Sequence, residues 1–220
     1  MKWLRDAEKL DEAVFMVMLS LFCLGTTLFR RLYVGSWGFF FLNRNLLLAF
    51  VPWALTTISY FKPKIQQSVL GIFSLLIFWI IFFPNAPYII TDLFHLRVLR
   101  AMPVWYDTLM ILSYAWTGIL FGFLSLWDIE RILARKLPRS IVTIFSGLLL
   151  FVGSFGIYMG RFLRWYTWDF FTRTSEILMD IGDRFTDPFQ YQTTWGVTLF
   201  MGVFLNIVYW SFRLVKKRLA

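Results

Sequence analysis

The sequence is short of charge, of cysteine and of histidine. Only 16% of its 220 residues are Asp, Glu, Lys or Arg, whereas a soluble domain carries about 25%. One cysteine, Cys23, excludes an intrachain disulfide framework and a zinc site of paired cysteines. Cys23 sits in an apolar run and reads as a small buried hydrophobe. The single histidine, His95, would need Asp92 and Asp107 to complete a metal site, and we expect no metal and no cofactor. There is no Walker loop, no dinucleotide glycine pattern and no HExxH. Ser125 lies across the expected membrane from His95, which excludes a Ser–His–Asp triad. The start, "MKWLRDAEKLDEAVF", has neither the plainly positive region nor the small-residue cleavage site of a signal peptide, so we expect a retained first helix.

What the sequence has is apolar surface. Hydrophobic residues make up 59% and aromatic residues 21%, with 26 Phe and 11 Trp, and the mean hydropathy is +0.64. That excess cannot be buried in one soluble core of this length. The pattern predicts an all-α, polytopic transmembrane bundle in a single domain, 1–220. Runs near the roughly 20 residues that a membrane helix needs lie at 13–29, 37–61, 67–83, 104–127, 141–159 and 194–212. The second is interrupted by Asn43, Arg44 and Asn45 and carries Pro52.

The net charge of +9 raises nucleic acid as a partner. No basic stretch lies outside the membrane flanks, so the charge reads instead as topology signal and anionic-lipid contact. Membrane lipid, not nucleic acid, is the expected partner. Six spans put both termini on one side. That side would hold Lys2, Arg5, Lys9, Lys62, Lys64, Arg131, Arg135, Lys136, Arg139, Arg213, Lys216, Lys217 and Arg218. The other would hold Arg30, Arg31, Arg97, Arg100, Arg161, Arg164, Arg173 and Arg184. The bias places both termini in the cytoplasm of a multi-pass cell-membrane protein.

Two polar stretches then share the outer side. In "FFPNAPYIITDLFHLRVLR" (82–100), Pro84 and Pro87 break the third span and bias Phe83 and Ala86 away from helix. Asn85 can satisfy backbone groups freed by the break. A helix restarting at Pro87 would put Tyr88, Asp92 and His95 on one face. Asp92 and His95 could then work as an acid–base pair; a capped interfacial helix with one hydrogen bond is the structural alternative. In "GRFLRWYTWDFFTRTSEILMDIGDRFTDPFQYQ" (160–192), charges interleave with Trp165, Tyr166, Trp168, Phe170 and Phe171. This suggests short interfacial helices after the fifth span. Arg161 and Arg164 can hold a phosphate or carboxylate, or simply snorkel beside an aromatic belt. Gly156 and Gly160 permit a close helix approach. Arg44, costly inside a span, calls for Asp92 or Asp107 as a partner. Asp107 also suits the start of the fourth span by its dipole.

"FFPNAPYIITDLFHL", "PVWYD", "GIYMGRFLRWYTWD" and "NRNLLLAFVPW" resemble an uncharacterised family of bacterial polytopic membrane proteins, the domain-of-unknown-function family thirteen-sixty-one. The resemblance runs from the second span to the segment after the fifth. It implies an integral protein of the bacterial inner membrane and no established activity. Its motifs fall on Asn45, Pro84, Asn85, Pro87, Tyr88, Asp92, His95, Asp107, Gly160, Arg161, Arg164, Trp165, Trp168 and Asp169. The family prefers Asn-Ser between the two Trp, where this chain has Tyr166 and Thr167, so no role for an Asn side chain is carried over.

The reading that results is an outward-facing polar site that binds or acts on a lipid or lipid-linked anionic substrate. Asp92 and His95 would be catalytic. Arg161, Arg164, Arg44, Asn85, Tyr88, Asp107, Trp165 and Asp169 would bind the substrate or its anion. Two alternatives come from other classes: a non-catalytic assembly subunit with a protein partner at its outer face, and a small-solute transporter lined by Arg44. Whether the chain is an enzyme is left open by the sequence.

Overall fold

The computed structural model describes residues 2–97 and 102–219, with side chains at 7–96 and 102–215. Of the charges counted above, the side chains of Lys2, Arg5, Arg97, Arg100, Lys216, Lys217 and Arg218 therefore lie outside the described residues. The described chain is helical. Its α-helices are α1 (Lys2–Val34), α2 (Phe41–Phe61), α3 (Pro63–Gln67), α4 (Val69–Phe82), α5 (Asn85–Tyr88), α6 (Val104–Leu133), α7 (Arg139–Phe162), α8 (Asp169–Thr172), α9 (Thr174–Thr186) and α10 (Gln192–Leu219). A 3-10 helix, Ile89–Arg97, follows α5 directly.

Among the described residues, five segments are long and apolar enough to cross a membrane: Ala7–Val34, Val69–Leu96, Val104–Leu133, Arg139–Phe162 and Gln192–Val215. The run expected at 37–61 does form a helix, α2, but it is not among the five. Asn43, Arg44 and Asn45 in its first turns dilute its apolar character. Within the apolar window 72% of α6 is buried, but only 17% of the α1 window and 22% of the α10 window. A helix so apolar and so uncovered is solvated by lipid rather than by water.

The chain divides into two compact units. The first comprises Met1–Phe50 and Asn85–Gly122, and so holds α1, the start of α2, the segment after the helix break, and α6 as far as Gly122. Gly118 of α6 lets the backbone pass against Ala86; a Cβ there would meet Ile89 Cδ1 at 2.9 Å. The second comprises Val51–Pro84 and Phe123–Ala220. There α7 lies against α10: Asn206 Nδ2 donates to Gly147 O at 3.3 Å, and Gly202 makes room for the Phe151 ring. Trp79, fully buried, donates to Ser125 Oγ at 3.0 Å. Arg213 closes on Glu130 at 2.8 Å.

The break after α4 departs from expectation. Phe83 keeps helical angles (φ −54°, ψ −40°), and Ala86 and Pro87 lie within α5. Pro87 occupies the first turn of a helix, where its missing N–H costs nothing. The chain thus tightens instead of extending. The close approach expected at Gly156 is realised in this unit, and Gly153 adds a second. A Cβ on Gly153 would sit 2.5 Å from the Phe83 ring, and one on Gly156 would collide with the Pro84 ring.

Candidate functional site

The 3-10 helix sets the local geometry of the conspicuous polar stretch. With three residues per turn, side chains at i and i+3 eclipse. Asp92 and His95 are brought into line by that spacing, and the Thr91 hydroxyl donates to the Tyr88 backbone O at 2.6 Å, tying the 3-10 helix to the end of α5. Nine residues of 3-10 helix is long for a form seldom sustained beyond about four, and such stretches often mark functional or strained segments.

Asp92 is only 1% exposed. Asn45 Nδ2 donates to its Oδ2 at 2.9 Å. His95 Nδ1 lies 3.3 Å from Asp92 O and 3.8 Å from Asp92 Oδ1. The His95 side chain is 37% exposed and its ring rests on Phe41, centroids 5.0 Å apart. The Asp92 carbonyl, within hydrogen-bond reach of Nδ1, can orient the partly exposed ring, with the buried, anchored carboxylate beside it. That leaves Nε2 available for proton transfer.

Asp107, expected as a partner for Arg44 or as a helix-dipole charge, is engaged by Arg30. Arg30 Nε donates to Oδ1 at 2.7 Å and Nη2 to Oδ2 at 3.2 Å, with the residues 2% and 3% exposed. The guanidinium also lies over the Phe39 ring, 4.4 Å from its centroid. Beside this pair runs a buried polar chain. Tyr114 Oη donates to Asn43 Oδ1, Thr27 Oγ1 donates to the same oxygen at 3.2 Å, and Thr27 lies 2.9 Å from Tyr114 Oη. Cys23 Sγ is 3.4 Å from Thr117 Oγ1. A pocket of about 80 Å3 opens beside them, bordered by Thr27, Arg30, Arg31, Ser36, Trp37 and Asn43 among others.

Arg161, Arg164, Trp165 and Asp169 belong to the second unit. Arg161 lies in the last turn of α7 and is half-buried. Arg164 is exposed and takes φ +61°, the one non-glycine residue with positive φ among the described residues. Trp165 N–H then closes on Met159 O at 3.2 Å, ending the helix. Asp169 Oδ2 accepts from Tyr166 N–H at 2.7 Å, a turn-forming role. Trp165 Nε1 donates to Asp180 Oδ2 at 2.7 Å, and Arg173 lies over its ring at 4.6 Å. Arg184, 3.6 Å from Asp180 Oδ1, is buried in the same cluster. Hydrogen bonds from Arg173 hold the Glu176 carboxyl below its ordinary range. Asn85 begins α5, and Arg44 stands next to Asn45 in α2. Both belong to the first unit, with Asp92 and His95.

The sequence reading missed Arg30, Thr27, Asn43, Tyr114, Asp180 and Arg184 as site-forming residues. Thr27 and Arg30 stand three apart on α1, and Asp180 and Arg184 four apart on α9, spacings that put each pair on one face. That was the available signal, but their partners are distant in sequence.

Among the described residues no group of three His, Cys, Asp or Glu side chains is placed to hold a metal ion. Comparison with curated proteins and with solved structures gives no match. The family model described as "Protein of unknown function (DUF1361)" matches residues 44–208. The match covers most of the chain, and the chain belongs to that family.

Proposed function

We propose that this member of the family binds or acts on a lipid or lipid-linked anionic substrate, with Asp92 and His95 as its acid–base pair. The observation that supports this most is the Asn45–Asp92–His95 arrangement: a carboxylate almost wholly buried yet anchored, next to an imidazole that reaches the surface. A carboxylate kept in an apolar chain is costly unless it is used or paired. Asp92 orients and His95 transfers the proton. Arg161 and Arg164, in the second unit, are read separately as anion-holding groups, since guanidinium forks match phosphate and carboxylate oxygens.

The test is chemical. Full-length protein in detergent is incubated with a bacterial lipid extract, and the lipids are followed by mass spectrometry. Conversion of an anionic lipid, lost in Asp92→Asn and His95→Gln and kept in Arg139→Ala, is the expected result. Unchanged lipids with the parent protein, or equal conversion by all variants, would refute acid–base chemistry at this pair.

The membrane reading extends to topology. Counting α2 with the five apolar segments gives six crossings, so both termini share a side. The excess of Lys and Arg on that side makes it cytoplasmic.

A further inference from the structure

The pocket between the end of α1 and the start of α2 has no place in the acid–base reading, and its chemistry is distinctive. Its polar lining consists of Arg30, Arg31, Asn43, Thr27 and Ser36, without a carboxylate. The Arg30 charge is answered from behind by Asp107, which does not line the pocket. Arg30 Nη1 has no protein partner among the described residues. Arg31 stacks on Trp37, its guanidinium carbon 3.2 Å from the ring centroid. A guanidinium stacked by its face keeps its in-plane N–H donors free at the edge. Asn43 Oδ1 is occupied by Tyr114 and Thr27, so its amide N–H2 is left to donate. The first turn of α2 adds the positive end of a helix. The last turn of α1 opposes it, and Arg31 in that turn offsets the opposition. Leu24 and Leu28, on the pocket wall, are 44% and 55% exposed.

We infer that this pocket binds a phosphate group, carried by a lipid or free. The donors fit its oxygens and Arg31 supplies the net charge. The space of about 80 Å3 is well above the roughly 10–15 Å3 that one water needs, and so admits a group larger than water. Exposed Leu24 and Leu28 offer an apolar track for an acyl chain. The inference does not rest on Asp92 or His95.

The test uses the full chain in detergent, titrated with dihexanoyl phosphatidic acid, with the matching diacylglycerol and with inorganic phosphate, by thermal shift. Saturable stabilisation by phosphatidic acid and none by diacylglycerol is expected. Arg31→Ala should weaken it at least tenfold, with Arg31→Lys in between because charge returns without the planar fork. Saturation by phosphatidic acid alone assigns the site to a lipid; equal saturation by inorganic phosphate assigns it to the free anion. Absence of saturation with both phosphate probes, or Arg31→Ala binding as tightly as the parent, overturns the inference. Should Arg31→Ala fail to fold, judged by helix content and elution, Trp37→Leu removes the stack and decides by the same criterion.

Discussion

Arg30 and Asp107 form a charge pair taken almost wholly out of solvent, and such pairs respond very differently to losing one member or both. Removing one leaves an uncompensated charge, at about 3–5 kcal/mol. Arg30→Leu and Asp107→Leu should each lower the thermal midpoint in detergent substantially, and the double variant should recover most of the loss. Equal or additive losses would show that the pair is not the stabilising unit. Arg164 poses the opposite case. A left-handed backbone at a residue with a Cβ costs roughly 1–2 kcal/mol, and glycine is the usual occupant of such a helix end. Arg164→Gly should therefore raise the thermal midpoint while removing a guanidinium. A gain in stability with a loss of anion binding would explain why arginine stands where glycine fits better. A lower midpoint would show that the side chain also stabilises the turn. Neither feature was legible in the sequence. Arg30 looked like a charge ending a helix, Asp107 like one beginning a helix, and their contact spans 77 residues.

At the scale of elements, the sequence marked the break after α4 but not its form. Two prolines suggested extended backbone at Phe83 and Ala86, yet Phe83 stays helical, and the chain narrows into a 3-10 helix. Proline rules describe single-residue preferences; packing of the Phe83 and Pro84 rings into the space at Gly153 and Gly156 outweighs them here. Gly156→Ala should consequently lower the thermal midpoint, because a Pro ring cannot swing aside. Overpacking of this kind costs about 1–3 kcal/mol. Gly182→Ala, where a Cβ meets open space, should not lower it. Helix α9 carries a pH-dependent contact. The Glu176 carboxyl, bonded to Arg173, titrates below the ordinary glutamate range. A depressed carboxyl stabilises the fold above its unfolded pKa and ceases to as pH falls through the lower folded value. Protection of the first turn of α9 against hydrogen exchange, corrected for intrinsic rates, should fall in that acid window. Glu176→Gln should abolish the change. Both groups are exposed, so the effect should be small and weakened by salt.

For the molecule as a whole, the apolar runs were the most legible part. Spans expected at 67–83, 104–127, 141–159 and 194–212 correspond to α4, α6, α7 and α10 within a few residues at most of the ends. Helix ends extend further because the flanking charged residues still favour helix. The run at 37–61 was harder, since α2 mixes membrane length with a polar start. The candidate site was legible as residue types: His95 stood out as the one histidine and Asp92 as a carboxylate in a largely apolar stretch, but Asn45 as the anchor of Asp92 required tertiary structure. The proposed topology gives a direct expectation. Fusions at either terminus should leave alkaline phosphatase inactive and green fluorescent protein bright; the reverse at one end would mean an odd number of crossings. The central claim, an anionic lipid handled at Asp92 and His95, is tested most directly by the lipids that travel with the protein. Native mass spectrometry of the detergent-extracted parent should show a retained phosphate- or carboxylate-bearing lipid, whose identity or occupancy changes in Asp92→Asn and His95→Gln. A parent protein that retains no such lipid, or variants with the same bound lipid at the same occupancy, would contradict the account.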